Sequence, residues 1–177
     1  MSDKEKTQGY LQAESSMDSI IKMLASLEVD YDRLEELRSA AEGGDEELDD
    51  DEKQEFGELS AAADGCESRE KAEERIADDP ASVEVRGPWY DPGKERGRPD
   101  PAEYCITLAY GGPGVRLTGD LSDGEPFSAR LEYMDYSGGW QEYWGENADE
   151  GALLEYARKF SFQDAGPSPE PGPRSRY

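Results

Sequence analysis

The sequence predicts an α+β fold, in which an N-terminal acidic helical hairpin and a short helix precede a small antiparallel β-meander covered by a C-terminal helix. In the N-terminal part, apolar residues recur at alternating spacings of three and four, the pattern of an amphipathic helix. After residue 80 the apolar period changes to two, which is typical of half-buried strands. Between these regions, seven of the eight residues in 45–52 are acidic, which indicates a surface that faces solvent.

The first helix is predicted over residues 16–42. Its apolar stripe comprises Met17, Ile20, Leu24, Leu27, Tyr31 and Leu34. Ile21 and Leu37 widen this stripe, so we expect the helix to pack on more than one neighbour. Gly43 ends the helix, because glycine readily adopts the left-handed conformation found at helix C-termini. Residues 1–15 are polar and without a period, and they are expected to form a flexible lead-in.

Two further helices complete a predicted acidic helical arm, residues 16–80. A helix over residues 45–63 begins with acidic side chains, which the positive end of the helix dipole favours. Because its apolar residues are sparse, we expect it to pack on the first helix as an antiparallel hairpin with one face in water. Ser68 can cap a third, short helix over residues 69–77.

The remainder of the chain is predicted to form an α+β domain, residues 81–163, followed by a disordered proline-rich tail, residues 164–177. Alternating apolar residues predict strands over 82–86, 104–110, 115–121 and 127–133. Short turns join the last three strands into an antiparallel meander. Asn147 can cap the C-terminal helix, with Glu150 three residues later as in a capping box.

The composition favours a negatively charged binding protein. The chain has 177 residues and a formal charge of −24, from 43 acidic and 19 basic side chains. This charge disfavours direct binding to nucleic acid or to an anionic membrane, and it favours a cationic partner. Two cysteines are too few for the disulfide scaffold of a small secreted domain. Because the N-terminus also lacks an apolar leader and no apolar run could span a membrane, we expect a cytoplasmic protein.

Few sequence patterns that indicate a catalytic or cofactor site are present, and the carboxylates are so abundant that their spacing is uninformative. The chain has no histidine, which excludes Ser-His-Asp and Cys-His nucleophiles and most zinc sites. Residues 111–114 are rich in glycine, but Pro113 has no N–H for a phosphate and a strand follows, so we interpret them as a hairpin turn. The acidic run lacks the spacing of a calcium-binding loop, and loose counter-ion binding is expected there. We therefore predict a non-enzymatic protein that uses no cofactor.

The acidic run has the linear charge density of a nucleic acid. Eight helical residues cover about 12 Å, so seven carboxylates give one charge per ~1.7 Å. Duplex DNA carries one charge per ~1.7 Å of its axis. Acidic runs also occur as solvated surfaces, and that interpretation stays open. The acidic residues predicted to contact a partner are Asp45, Glu46, Glu47, Asp49, Asp50, Asp51, Glu52 and Glu55.

Large aromatic residues in predicted loops are a second candidate for partner binding. These residues are Trp89, Tyr90, Trp140, Tyr143 and Trp144. Aromatic side chains in loops act either as additional core or as binding anchors. Of the five, Trp140 and Trp144 are included among the predicted partner-binding residues. Four charged residues of neighbouring strands are expected to form ion pairs within the sheet rather than to bind a ligand: Arg116, Arg130, Asp120 and Glu132.

Four runs of sequence resemble a family of small acidic proteins, without an assigned activity, that are encoded on bacteriophages, prophages and plasmids. The runs are YDRLEEL (31–37), ASVEVRGPWY (81–90), YCITLAYGGPGVRL (104–117) and ALLEYA (152–157). The resemblance covers most of residues 20–162, and the block around residues 111–113 is fairly specific. It implies a mobile-element setting, in which small acidic proteins commonly disarm host nucleases, restriction complexes or CRISPR complexes. It implies no catalytic residues.

Three functional hypotheses follow. The favoured one is a non-catalytic nucleic-acid mimic, whose helical hairpin occupies the basic groove of a host defence complex of the CRISPR or restriction type. The alternative is an oligomeric structural or adaptor protein, a homodimer formed through the apolar stripe of the N-terminal helices. The third is a small-ligand or metal-dependent enzyme that uses residues 87–101 as a lid, which requires a pocket beside that loop.

Overall fold

The structure is a computed structural model that describes residues 6–43, 48–89, 91, 100–136 and 138–162. Its helices are α1 Gln8–Leu27, α2 Tyr31–Gly43, α3 Asp50–Ala63, α4 Arg69–Asp78 and α5 Glu150–Ala157. Its strands are β1 Ser82–Arg86, β2 Glu103–Ala109, β3 Gly114–Ser122, β4 Glu125–Pro126, β5 Arg130–Met134 and β6 Gln141–Glu142. Within the described residues, four helices, an antiparallel sheet and a final helix follow one another, which confirms the predicted α+β fold.

The sheet is the predicted meander, extended by two short strands. Its order is β1-β2-β3-β5-β6, every pairing is antiparallel, and β4 pairs with β3. The register aligns Ile106 with Leu117 and Leu117 with Leu131, so that one apolar row crosses the inner face. The alternate residues, such as Arg116 and Glu132, lie on the outer face because side chains alternate along a strand.

α1 is the central helix of the described structure. It packs on β3 and β5 of the sheet and on α3, α4 and α5. Thr7 caps it, and its first residue is Gln8, so the flexible lead-in predicted over residues 1–15 is wrong from this residue onward. The buried residues of its first two turns include Gly9 and Ala13. Such small residues do not register as an apolar stripe, which explains why the sequence pattern appeared to begin at Met17.

The prediction of a single helix over residues 16–42 is also wrong, because the helix is interrupted between α1 and α2. Asp30 accepts a hydrogen bond from the backbone N–H of Arg33 at 3.0 Å, which caps the start of α2. The hydroxyl of Tyr31 donates to the carbonyl of Ser26 at 3.0 Å across the break. The apolar stripe continues through both helices because both bury it inside the same protein. Within the widened stripe, Leu37 is buried whereas Ile21 is exposed.

The predicted second helix begins five residues later than expected, at Asp50 rather than at residue 45. Asp49 accepts from the N–H of Glu52 at 2.8 Å, and the Glu52 carboxylate accepts from the N–H of Asp49 at 3.1 Å. This reciprocal capping box fixes the start of α3. Residues 44–47 lie outside the described residues. The third predicted helix is confirmed as α4, with Ser68 as its cap.

Asp149, not Asn147, caps α5, by accepting from the N–H of Ala152 at 3.0 Å. The amide of Asn147 instead donates to the Glu14 carbonyl at 3.1 Å and to the Asp18 carboxylate at 2.7 Å. This places the loop before α5 against α1. The tail predicted at residues 164–177 lies outside the described residues.

A hydrophobic core joins α1, α4 and α5 to the sheet. The buried cluster includes Ile20 of α1, Ile76 of α4, Ile106 of β2 and Tyr156 of α5. The boundary predicted at residue 80 therefore falls between α4 and β1 without separating two cores. In the part of the chain that the structure describes, no helix is both long enough and apolar enough to cross a membrane.

Candidate partner-binding surface

The acidic hairpin, residues 28–64, contains α2 and α3 and holds most of the net charge. It has 16 acidic and 3 basic residues, which gives −13 of the total −24. α2 and α3 pack on each other, and α3 also packs on α1. The charge is therefore attached to the core of the protein through helix packing.

Arg33 connects the two helices of the acidic hairpin. Its Nη2 lies 2.8 Å from the Glu55 carboxylate, and its Nε lies 3.2 Å from the same oxygen. Its guanidinium also lies 3.4 Å from Glu36 and 3.9 Å from Glu52. The hydrogen bond from Arg33 lowers the pKa of Glu55, and the carboxylates of Glu55 and Glu36 raise the pKa of Arg33. The arginine thus holds two carboxylates of α3, Glu52 and Glu55, on the side that faces α2, and also pairs with Glu36 of its own helix.

The acids predicted to contact a partner separate into three groups in the structure. Asp45, Glu46 and Glu47 lie outside the described residues. Glu52 and Glu55 are half-buried and face Arg33, so the protein's own arginine already partly neutralises them. Asp49, Asp50 and Asp51 are exposed, and none of them pairs with a described lysine or arginine. The continuous helical row of seven acids is not observed, because α3 begins only at Asp50.

Further exposed acids, which the sequence reasoning missed, extend this surface. Glu58 lies seven residues after Asp51, so the two share one face of α3. Asp32 and Glu42 of α2 are also exposed and form no ion pair with a described residue. The helical spacing of Glu58 from the acidic run is the signal that could have identified it. We call Asp49, Asp50, Asp51 and Glu58 the outer acids of α3.

The two predicted partner-binding tryptophans have different environments. The guanidinium of Arg116 lies 4.1 Å from the ring centroid of Trp140, and its Nε pairs with Glu132 at 2.7 Å. Trp140 is therefore stacked on the outer face of the sheet and is 36% exposed, whereas Trp144 is 77% exposed. Tyr143, between them in the chain, is buried in the core.

The expected ion pairs of the sheet are confirmed only in part. Arg116 pairs with Glu132, as predicted. Asp120 instead accepts a hydrogen bond from the Ser128 hydroxyl at 2.8 Å. Arg130 forms no ion pair with a described residue. The turn between β4 and β5 brings Ser128 within reach of Asp120, and this proximity follows from the chain path rather than from strand alternation.

A cavity of about 570 Å³ lies on the outer face of the sheet, beside the ends of the 87–101 loop, which is the lid of the third hypothesis. Tyr90 and residues 92–99 of this loop lie outside the described residues. Two of the three arginines that line the cavity already form ion pairs within the sheet, Arg86 with Glu103 and Arg116 with Glu132. Cys105 also lines it, and burial raises the pKa of this thiol, which disfavours the reactive thiolate. Among the described residues, no group of three or more Cys, Asp or Glu side chains is arranged to hold a metal ion.

Comparisons with protein-family models, with curated proteins and with solved structures find no match to this chain. Two features stand out: the exposed acids of the acidic hairpin and the exposed indole of Trp144. The resemblance to acidic proteins of mobile elements stays a prediction.

Proposed function

We propose that this protein is a non-catalytic inhibitor whose acidic hairpin occupies the nucleic-acid-binding surface of a basic host protein. The observation that supports this proposal is the group of outer acids of α3, which are exposed and have no cationic partner among the described residues. The resemblance to mobile-element proteins suggests a host defence complex of the CRISPR or restriction type as the target. The host cytoplasm is then where the two would meet.

The way the hairpin is anchored favours mimicry over simple solvation. The capping box fixes the first turn of α3, and Arg33 fixes α3 against α2. Charges that are held in place before binding lose less conformational entropy on docking than charges on a flexible tail. A positively charged groove would gain long-range attraction to such a surface, and the attraction would weaken as salt is added.

The alternative, a homodimer through the N-terminal helices, requires their apolar stripe to be exposed. Met17, Ile20, Leu24, Leu27 and Leu34 are all buried within the protein. The first four belong to the hydrophobic core of the protein, and none of the five is available as a seam between two copies. The charge of the acidic hairpin also opposes the approach of a second hairpin.

Capture of proteins from a bacterial lysate on the immobilised full chain tests the proposal. We expect the captured proteins to bind nucleic acid, to elute with competing duplex DNA, and to be lost as salt increases. We expect capture to be abolished in a triple variant that combines Asp49→Asn, Asp50→Asn and Asp51→Asn. Asparagine caps helices as well as aspartate does, so these changes remove charge while preserving the start of α3.

A matched control removes the same charge elsewhere. Glu84→Gln, Asp123→Asn and Glu125→Gln alter three exposed acids of the sheet region, and we expect capture to persist. Asp123 has a positive φ of 53°, which asparagine tolerates. Capture that stays tight after loss of the three acids of α3, or that falls equally in both variants, contradicts the proposal.

A further inference from the structure

A second cavity, of about 580 Å³, lies where the start of β5 meets the N-terminus of α5. Its floor is apolar and is formed by Ala129, Leu131 and Leu153, all of which are buried. The indole of Trp144 lines the cavity while remaining 77% exposed. An apolar floor beside a large exposed aromatic side chain is typical of a binding pocket rather than of core packing.

The lining of this cavity is acidic. It includes Asp120, Glu142, Asp149 and Glu150 against one cation, Arg130. Asp120 and Asp149 already accept hydrogen bonds, from Ser128 and from the N–H of Ala152. Glu142 and Glu150 are exposed and form no ion pair or hydrogen bond through their carboxylates with a described side chain. Two carboxylates beside Trp144 are therefore free to receive a cation.

Elsewhere in the protein, an arginine binds a pair of groups similar to those beside Trp144. At Trp140, the guanidinium of Arg116 stacks on the indole at 4.1 Å and pairs with Glu132 at 2.7 Å. Trp144 and Glu142 offer the same two chemical groups, but no described lysine or arginine stacks on the Trp144 ring. A guanidinium is planar and weakly hydrated, so it can stack on an indole and bind a carboxylate at once.

We propose that the cavity beside Trp144 binds an arginine side chain of a protein partner. The guanidinium stacks on the Trp144 indole and pairs with Glu142 and Glu150, and the aliphatic part of the side chain covers the apolar floor. The identification of the partner as a basic protein rests on the proposed function. The site adds a specific contact to the long-range attraction of the acidic hairpin.

Nuclear magnetic resonance of the full, ¹⁵N-labelled chain tests the site directly. The probes are Nα-acetylarginine amide and Nα-acetylcitrulline amide, which has nearly the same shape without the charge, at constant ionic strength. We expect the arginine probe to shift the Trp144 indole N–H signal saturably and the citrulline probe to leave it in place. The fully exposed Trp89 indole serves as an internal control that should not respond.

Substitutions identify the contacts. Glu142→Gln combined with Glu150→Gln should weaken binding of the arginine probe, and Trp144→Leu should weaken it about two- to fivefold, the range for a cation–π contact at an exposed site. For Trp144→Leu, the shift of the Ala148 amide signal replaces the lost indole signal. Glu125→Gln, an exposed acid outside the cavity, should have no effect. Three results would overturn the proposal. They are equal shifts by the two probes, equal responses of the Trp89 and Trp144 indoles, and wild-type affinity for the arginine probe in the double glutamate variant.

The two proposals can fail separately. The variant with Asp49, Asp50 and Asp51 changed to asparagine should bind the arginine probe as the wild type does, although it no longer captures proteins from a lysate. If the arginine probe binds but no form of the chain captures proteins from the lysate, the proposed function is contradicted and the arginine site is not. If Trp144→Leu and the double glutamate variant both capture proteins as the wild type does, the arginine site is contradicted and the proposed function is not.

Discussion

At the scale of single residues, Arg33 determines how the charge of the acidic hairpin is distributed. It is one of only three basic residues in this segment, and it lies within 4 Å of Glu36, Glu52 and Glu55. These side chains are at least one-third exposed, so water and salt weaken each pair. The main effect of Arg33 is therefore positional. It draws Glu52 and Glu55 towards α2 and leaves the outer acids facing solvent.

The pair formed by Arg33 and Glu55 should make stability depend on pH. Arg33 lowers the pKa of Glu55 from its usual 4.5. A carboxyl group with a lowered folded-state pKa stabilises the fold above its unfolded pKa, and this stabilisation is lost as the pH falls through the folded pKa. We expect Glu55→Gln to lower the free energy of unfolding at neutral pH and to differ less from the wild type as the pH falls below about 4.

Urea unfolding followed by circular dichroism at several pH values measures this difference. Glu58→Gln is the control, because Glu58 lies on the same helix and has no cationic partner among the described residues. Its removal relieves repulsion between acids and should not destabilise the protein at neutral pH. A difference between the wild type and Glu55→Gln that grows as the pH falls would contradict the assignment.

At the scale of secondary-structure elements, α1 organises the molecule. It contacts the sheet, α3, α4 and α5, and the Asp135 carboxylate accepts from the N–H of Gly9 at 2.7 Å in its first turn. The ring of Tyr10 contacts Tyr133 of β5 edge-on, with 6.0 Å between the centroids, and also contacts Tyr143. The loops after β5 and before α5 are therefore held in place by α1. The position of Trp144 depends indirectly on this helix.

Neighbouring isoleucines of α1 allow a direct test of this arrangement. Ile20 is fully buried, whereas Ile21 is 37% exposed. We expect Ile20→Ala to lower the free energy of unfolding by about 2–5 kcal/mol, the usual cost of a core truncation. Ile21→Ala should cost much less, because water already reaches that side chain. Chemical denaturation of both variants measures the contrast, and similar losses would argue against the packing of α1 described above.

At the scale of the whole molecule, a hydrophobic core that joins the described sheet to α1, α4 and α5 stabilises a chain with a net charge of −24. More than half of this charge lies in the acidic hairpin, which packs on the core through α1. Like charges brought together by folding repel one another, and this repulsion opposes the compact state. The protein therefore tolerates an electrostatic cost in the segment that we propose to be its binding surface.

Added salt should consequently stabilise the protein. Ions at 0.1 M screen charges beyond about 10 Å, so sodium chloride reduces the repulsion within the acidic hairpin. We expect the melting temperature, measured by circular dichroism, to rise with sodium chloride concentration. The rise should be smaller when Asp49, Asp50 and Asp51 are changed to asparagine. A melting temperature that falls with salt would show that favourable ion pairs outweigh repulsion.

Local patterns in the sequence determined the fold class, the meander, and the position of α4 with its Ser68 cap. These features depend on residues close together in the chain: strand alternation, turn residues and helix caps. The start of α1 was missed because its buried residues there include Gly9 and Ala13, which have almost no side chain. The break before α2 was missed because the apolar spacing continues through it.

Only the tertiary structure decided which parts of the predicted surface are available to a partner. Arg33 and Glu55 are 22 residues apart, and their contact divides the acids into those that face α2 and those that face solvent. Asn147 and Glu14 are 133 residues apart, and their contact helps to position the loop that leads from Trp144 to α5. The sequence by itself determined that the chain is an acidic α+β protein without histidine chemistry. Contacts between residues distant in the chain determined the site, because no local pattern specifies which side chains meet.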